Sequence, residues 1–215
     1  MQSTYLKFTQ DKTLQLHTET FKYTKNCILI QINVRLYKIM YTINEQKILE
    51  IIFDNPTTNF YMLELAKKAK LHPNTTIDTL NALEKKGLIK QEKKKHLKQI
   101  AGNKENPQFN IEKKISNISK VYNSGIIEFL KEKYAPEAIS IVGSYSRGED
   151  IEESDIDLVV ITKKHYNNDN LEKFEKIFKR KIHLIISHYK ELSEEFYINL
   201  INGIVLQGTL DKKDG

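Results

Sequence analysis

From Asn44 the apolar residues Ile48, Leu49, Ile51, Ile52 and Phe53 fall at helical spacing, with Asn44 as the expected N-cap and Asp54-Asn55-Pro56 as the stop. A second short helix carries Leu63, Leu65, Ala66 and Ala69. After a tight connection at Leu71-His72, Pro73 suits the first position of a third helix, which ends at Gly87. Ile77, Leu80 and Leu83 are expected on its inner face, and Asn74, Thr75, Thr76, Asp78, Thr79 and Asn81 on its outer one. Residues 88–92 then read as a strand, 93–107 as a loop and 108–111 as a returning strand. Residues 111–134 read as one connecting helix, with Ile115, Ile118, Tyr122, Ile126, Phe129 and Leu130 on a single stripe and Pro136 beyond its end.

The pattern then changes from helical to extended. Ala138–Val142 alternates like a strand, Gly143-Ser144-Tyr145-Ser146-Arg147-Gly148 follows as a turn with a short helix or loop, and Ser154-Asp155-Ile156-Asp157-Leu158 opens a second strand. Gly143 allows close approach of a ligand to the backbone, and Ser144 offers a hydroxyl and an N–H to phosphate oxygens. Asp155 and Asp157 are two apart on a strand, so their carboxylates share a face, roughly 7 Å apart at Cα. Ile156, Leu158 and Val160 point the other way, into a core. Two carboxylates beside a glycine turn suit a hard divalent cation such as Mg²⁺, which brings nucleotide phosphates with it. Further on come a polar loop (165–170), a helix carrying Leu171, Phe174, Ile177 and Phe178, and a strand over 181–187. Alternation on that strand places Ile182, Leu184 and Ile186 inward and His183 on the face shared with Asp155 and Asp157.

Gly143, Ser144, Arg147, Gly148, Ser154, Asp155, Asp157 and Leu158 resemble the signature of the nucleotidyltransferase superfamily that includes DNA polymerase beta, most closely its minimal prokaryotic members. The resemblance extends over about residues 120–210. It implies Asp155 and Asp157 as metal ligands and catalytic residues, with Mg²⁺ or Mn²⁺ as the cation. It implies an NTP substrate, ATP first, and transfer of AMP to a protein or small-molecule acceptor. Gly143, Ser144, Arg147, Gly148 and Ser154 would form the nucleotide-binding set. Arg147 either contacts phosphate or pairs with Glu149, Asp150, Glu152 or Glu153, which read as a solvated acidic loop. The family's third carboxylate aligns with His183, which accepts a proton but supplies no negative charge and suits Mg²⁺ poorly. Either His183 is the base, or the domain is slow, or it binds nucleotide without turnover. Relatives of this kind often modify a small helical partner of the HEPN class as antitoxins, which makes such a partner an expectation of the resemblance. Aminoglycoside modification is disfavoured, because no additional substrate-binding domain is evident.

Three helices followed by a ribbon, with Leu65-Ala66, Thr76-Ile77, Leu80 and 83–89 in register, resemble a winged helix-turn-helix over about residues 42–111. Such a fold places its third helix in the major groove, where Asn74, Thr75, Thr76 and Thr79 would reach base edges. The wing carries Lys90, Lys93, Lys94, Lys95, Lys98 and Lys104 against Glu92, enough to neutralise several phosphates of double-stranded DNA. Lys93, Lys94, Lys95 and Lys98 are its candidate contacts. The alternatives are a solvated lysine loop, or a module for homodimerisation or protein docking.

The expected class is therefore α+β: a winged helix-turn-helix (42–111), a connector helix (112–136) and a small mixed-sheet nucleotidyltransferase domain (137–210). Residues 1–39 fit neither part; they are an upstream translation preceding a natural start at Met40, or an added arm with an edge strand near 28–41. The 215 residues are 40% hydrophobic and 29% charged, ordinary for a soluble protein, and the net charge of +6 permits a nucleic-acid partner. A single cysteine, Cys27, excludes an internal disulfide framework, and the six histidines lack metal-ligand spacing. With no apolar run near the roughly 20 residues of a membrane span and no apolar leader, a cytoplasmic location is expected. The competing functional reading is a catalytically weak or inactive, DNA-binding transcriptional regulator whose second domain senses nucleotide or docks a partner.

Overall fold

A computed structural model describes residues 37, 39–94, 97–163 and 170–210. Helix α1 (Ile43–Asp54) starts two residues earlier than expected, because Thr42 rather than Asn44 caps it. Thr42 and Glu45 form a capping box: Thr42 Oγ1 accepts from the Glu45 N–H at 3.2 Å, and the Glu45 carboxylate accepts from the Thr42 N–H at 2.8 Å. Strand β1 (Phe60–Tyr61), α2 (Met62–Ala69) and α3 (Pro73–Lys85) follow, with Pro73 in the first turn of α3.

The wing is a hairpin of β2 (Ile89–Lys94) and β3 (Leu97–Gly102), and β1 pairs with β3 to give the order β1-β3-β2. The returning strand is thus Leu97–Gly102, not residues 108–111. Ile100 is fully buried opposite Phe60, whereas Asn106-Pro107 starts a helix: Asn106 Oδ1 caps the Gln108 N–H at 3.0 Å. That helix, α4 (Pro107–Asn123), ends at Ser124-Gly125, and α5 (Ile126–Tyr134) begins anew. The expected single connector is therefore two helices. Gly125 has φ +77°, outside helical geometry, and Ser124 Oγ accepts from the Ile126 N–H at 3.2 Å.

The second half has β4 (Ala138–Val142), α6 (Gly143–Arg147), β5 (Ile156–Ile161), α7 (Glu172–Phe178), β6 (Ile182–Ser187), a 3-10 turn (Tyr189–Glu191), α8 (Glu194–Ile201) and β7 (Ile204–Gly208). Its sheet order is β6-β5-β4-β7, with β5 and β6 parallel and the other pairs antiparallel. Strand β5 is buried on both faces. Ile156, Leu158 and Val160 join the core under α4, α5 and α7, while Val159 and Ile161 join a smaller one with Leu192 and Leu200. Each such fully buried side chain contributes about 1.5–3 kcal/mol of transfer free energy.

Helix α4 is the shared spine. Phe109 and Ile115 belong to the winged-helix core with Ile48, Phe60 and Leu83, and Ile118 and Val121 to the core of the second sheet. Tyr37 and Tyr41 also pack into the winged-helix core, their ring centroids 5.1 Å apart. Residues 37, 39 and 40 are helical, which corrects the end of the expected edge strand; residues 1–36 lie outside the described part. The expected polar loop falls mostly on residues 165–169, also outside it. No helix among the described residues is long and apolar enough to cross a membrane.

Candidate nucleotide site and duplex-facing surface

The site forms where β4 and β5 leave the sheet side by side. Val142 is the register partner of Asp157, and the next residue, Gly143, turns the chain with φ +71°. A Cβ at Gly143 would lie 2.4 Å from Asp157 Oδ2, so only glycine lets this carboxylate rest against the turn. On the other side Asp157 faces its register partner His183, with His183 Nδ1 3.2 Å from Asp157 Oδ1. An ionised carboxylate only accepts, so a hydrogen bond here requires the proton on Nδ1, and in the corresponding neutral tautomer Nε2 keeps its lone pair. Asp157 and His183 share a face as strand alternation predicts, whereas Asp155, expected on the same strand, lies just before it, since β5 begins at Ile156.

Asp155 is exposed and immediately precedes β5. The Lys181 ammonium is held above its ordinary value, first by its hydrogen bond with Glu175 and in smaller part by the charge of Asp155. Ser144 is half-buried, and among the described residues none hydrogen-bonds its hydroxyl. Gly143, Asp157 and His183 thus meet, with Ser144 next to Gly143 in the chain and Asp155 two residues before Asp157.

Three residues expected at the nucleotide have other partners. Arg147 is exposed and its Nε donates to Glu149 Oε2 at 2.7 Å, one of the two alternatives for it. Gly148 is buried against α4: a Cβ there would sit 2.3 Å from the Asn110 carbonyl oxygen and 2.8 Å from the Lys114 nitrogen. It is a helix-packing position. Ser154 Oγ accepts from the Ile151 N–H at 3.0 Å, closing the turn before Asp155.

The acidic spacer is not a solvated loop throughout, which corrects that expectation. Asp150 is fully buried in an ion pair with Lys113, which is itself 1% exposed. Lys113 Nζ also donates to the Asp150 carbonyl oxygen at 2.7 Å, and Asn117 Nδ2 donates to Asp150 Oδ1 at 2.8 Å. Arg180 Nη2 lies 3.1 Å from Asp150 Oδ2, and its Nη1 donates to the carbonyl oxygens of Ser154, at 3.0 Å, and Ile151. Burial pushes the Lys113 ammonium below its ordinary value, opposed by Asp150. Glu152 accepts from the Thr57 N–H at 2.9 Å, the Thr57 hydroxyl at 2.8 Å and the Thr58 hydroxyl at 3.2 Å. Desolvation alone would raise the Glu152 carboxyl, but these bonds and its own N–H outweigh it and hold the group below the usual range. The spacing of Lys113 and Asn117, one helical turn apart, was a signal for a shared partner, but nothing in the sequence pointed to Asp150.

On the winged-helix side, Asn74, Ile77, Asp78 and Asn81 are exposed on α3 and Thr75 is half-buried. Thr76 and Thr79, expected to read bases, are 0% and 7% exposed, and Ile77, expected inside, is 42% exposed. The inner stripe is rotated because the two threonines hide their hydroxyls inside the helix: Thr76 donates to the His72 carbonyl oxygen at 3.1 Å and Thr79 to that of Thr75 at 2.7 Å. Lys93, Lys94 and Lys98 are exposed on the wing, Lys93 and Lys98 as register partners; Lys95 lies outside the described residues. Gln91 of β2 ties the wing to α3, its backbone N–H donating to Glu84 Oε1 at 3.1 Å and its Nε2 to Glu84 Oε2 at 2.9 Å.

Comparison with known families finds matches to both parts of the chain. Residues 124–206 match the family model described as Nucleotidyltransferase domain, and residues 41–96 match the MarR family. No curated protein and no solved structure gives a significant match. The chain joins a MarR-type winged-helix region to a nucleotidyltransferase domain.

Proposed function

We propose that this protein transfers a nucleoside monophosphate, AMP first, from an NTP to a protein or small-molecule acceptor, and that its winged helix holds duplex DNA. The observation that carries the first part is Asp157, placed against the Gly143 turn with Asp155 two residues before it. Nucleotidyltransferase domains generally use an NTP with a divalent metal. Among the described residues no three His, Cys, Asp or Glu side chains converge as a metal cage. Two carboxylates with phosphate oxygens completing the shell fit Mg²⁺ or Mn²⁺, which is commonly held that way. Asp155 and Asp157 would hold the cation, which when bound neutralises phosphate charge and polarises the α-phosphorus.

The residues then have distinct roles. Ser144 and the Gly143 backbone receive the β- and γ-phosphates, opposite the acceptor. Asp157 orients His183 through Nδ1, leaving Nε2 to take the proton of the acceptor hydroxyl. The acceptor oxygen bonds to the α-phosphorus as the bond to the bridging oxygen breaks, and pyrophosphate leaves. Exposure of the wing lysines and of the α3 face supports duplex contact, with Lys93, Lys94 and Lys98 on phosphates and Asn74 and Thr75 at base edges.

A second reading has one observation in its favour: His183 stands where a third carboxylate would add negative charge. On that reading the domain binds nucleotide and regulates DNA binding without transfer. Incubating the protein with α-labelled NTPs, Mg²⁺ or Mn²⁺ and host lysate separates the two. Label on a discrete acceptor, lost in Asp157→Asn, supports transfer; nucleotide binding without any labelled acceptor supports the regulator.

A further inference from the structure

The segment between Gly148 and Asp155 is held from both halves of the molecule. At one end Arg180 grips the Ser154 and Ile151 carbonyl oxygens, fixing the backbone that leads into Asp155. In its middle Asp150 is locked to Lys113 and Asn117 of α4, whose earlier turns place Phe109 in the winged-helix core. From the same segment Glu152 reaches across to Thr57 and Thr58 with three hydrogen bonds. Those threonines end the turn from α1 into β1, and β1 is hydrogen-bonded to the wing strand β3 through Phe60↔Ile100 and Tyr61↔Gln99. A continuous path therefore runs from Asp155 through Ser154 and Glu152 to Thr57, β1 and the wing. Every step in it is a covalent bond or a direct hydrogen bond, the Glu152–Thr57 step lying at the surface.

We infer that nucleotide occupancy and duplex binding are thermodynamically coupled through the Glu152 contact with Thr57 and Thr58. The inference rests on the nucleotide and duplex readings above and adds their linkage. A cation and phosphates drawing on Asp155 act on the backbone that Arg180 holds and hence on Glu152 three residues earlier. Any difference in where Glu152 sits is transmitted to the turn that sets β1 against the wing. Coupling of this kind is reciprocal: each ligand must change the affinity of the other by the same factor. Glu152 is a positioning residue in this scheme and touches neither ligand.

The test uses the full chain, a fluorescently labelled duplex of mixed sequence, and α,β-methylene ATP with Mg²⁺ as a nucleotide that cannot be transferred. Duplex affinity is measured by anisotropy with and without saturating nucleotide, and nucleotide affinity by calorimetry with and without saturating duplex. The expected result is a change of about fivefold or more, equal in both directions. Glu152→Ala should bring that factor close to one while each ligand alone binds as in the wild type. If Glu152→Ala does not fold, the double variant Thr57→Val, Thr58→Val removes the two hydroxyl donors at constant volume and should reduce the factor. Two results overturn the coupling while leaving both sites standing: wild-type affinities independent of each other, or an undiminished factor in a folded variant. Failure of either ligand to bind alone overturns the reading of that site and the coupling with it.

Discussion

His183 Nδ1 and Asp157 Oδ1 face each other 3.2 Å apart across the parallel pair β5 and β6, while Asp157 Oδ2 rests on the Gly143 turn. The two oxygens of one carboxylate thus meet two different elements. One orients an imidazole and the other lies at the turn that leads into Ser144. A third carboxylate in place of His183 would repel Asp157 instead of donating to it, so the histidine changes the balance of the site as well as its charge.

His183→Ala should lower transfer about 100-fold or more, the typical scale for a general base, while ATP affinity stays close to wild type. Label transfer and equilibrium binding, measured side by side, check this. An unchanged rate would make His183 a bystander on β6.

Replacing Lys93, Lys94 and Lys98 together with alanine should weaken binding to every duplex and flatten the log–log salt dependence by about three units. Thr75→Ala should instead alter sequence preference, and Thr76→Ala should act on stability, because its hydroxyl is buried. Anisotropy titrations over a range of salt distinguish these.

Asp150→Asn leaves Lys113 and Arg180 buried with no carboxylate between them, which should cost about 3–5 kcal/mol. Urea denaturation of the full chain reads the loss. A variant as stable as the wild type would show that the buried charges are not held by Asp150.

Glu45 and Glu152 have folded-state carboxyls below their ordinary value of 4.5. For both, burial acts upward and hydrogen bonds outweigh it: from Lys86 and Thr42 for Glu45, and from its own N–H, Thr57 and Thr58 for Glu152. A carboxyl lowered on folding contributes stability that is fully present above 4.5 and lost as pH falls through the folded value. Urea midpoints should therefore fall below that pH, and fall less steeply in Glu45→Gln and Glu152→Gln. An identical acid profile in both variants would contradict the assignment.

Local signals made much of this legible in the sequence. Pro73 and the Leu80 and Leu83 pair set α3, and the alternation around His183 put it on the Asp157 face, because both depend only on periodicity. The wing's return strand is hard to read because the lysine-rich 93–98 stretch has no apolar alternation, and Asn106-Pro107, which starts a helix, carries the same residues as a loop end. Thr76 and Thr79 looked solvent-facing because threonine is polar; their hydroxyls bond within the helix, which no composition rule shows. Asp150, Lys113, Asn117 and Arg180 were unreadable for a different reason. Asp150 is 30 to 37 residues from each of these partners, and burying an aspartate requires a tertiary fold to surround it.

The most direct measurement is equilibrium binding of ATP to the wild type and to the double variant Asp155→Asn, Asp157→Asn, each with and without Mg²⁺ or Mn²⁺, with duplex affinity as the control for folding. The account predicts that the wild type binds ATP only with the cation, and that the variant loses this binding while holding DNA as before. Equal ATP affinity with and without the cation, or undiminished affinity in the variant, would contradict it.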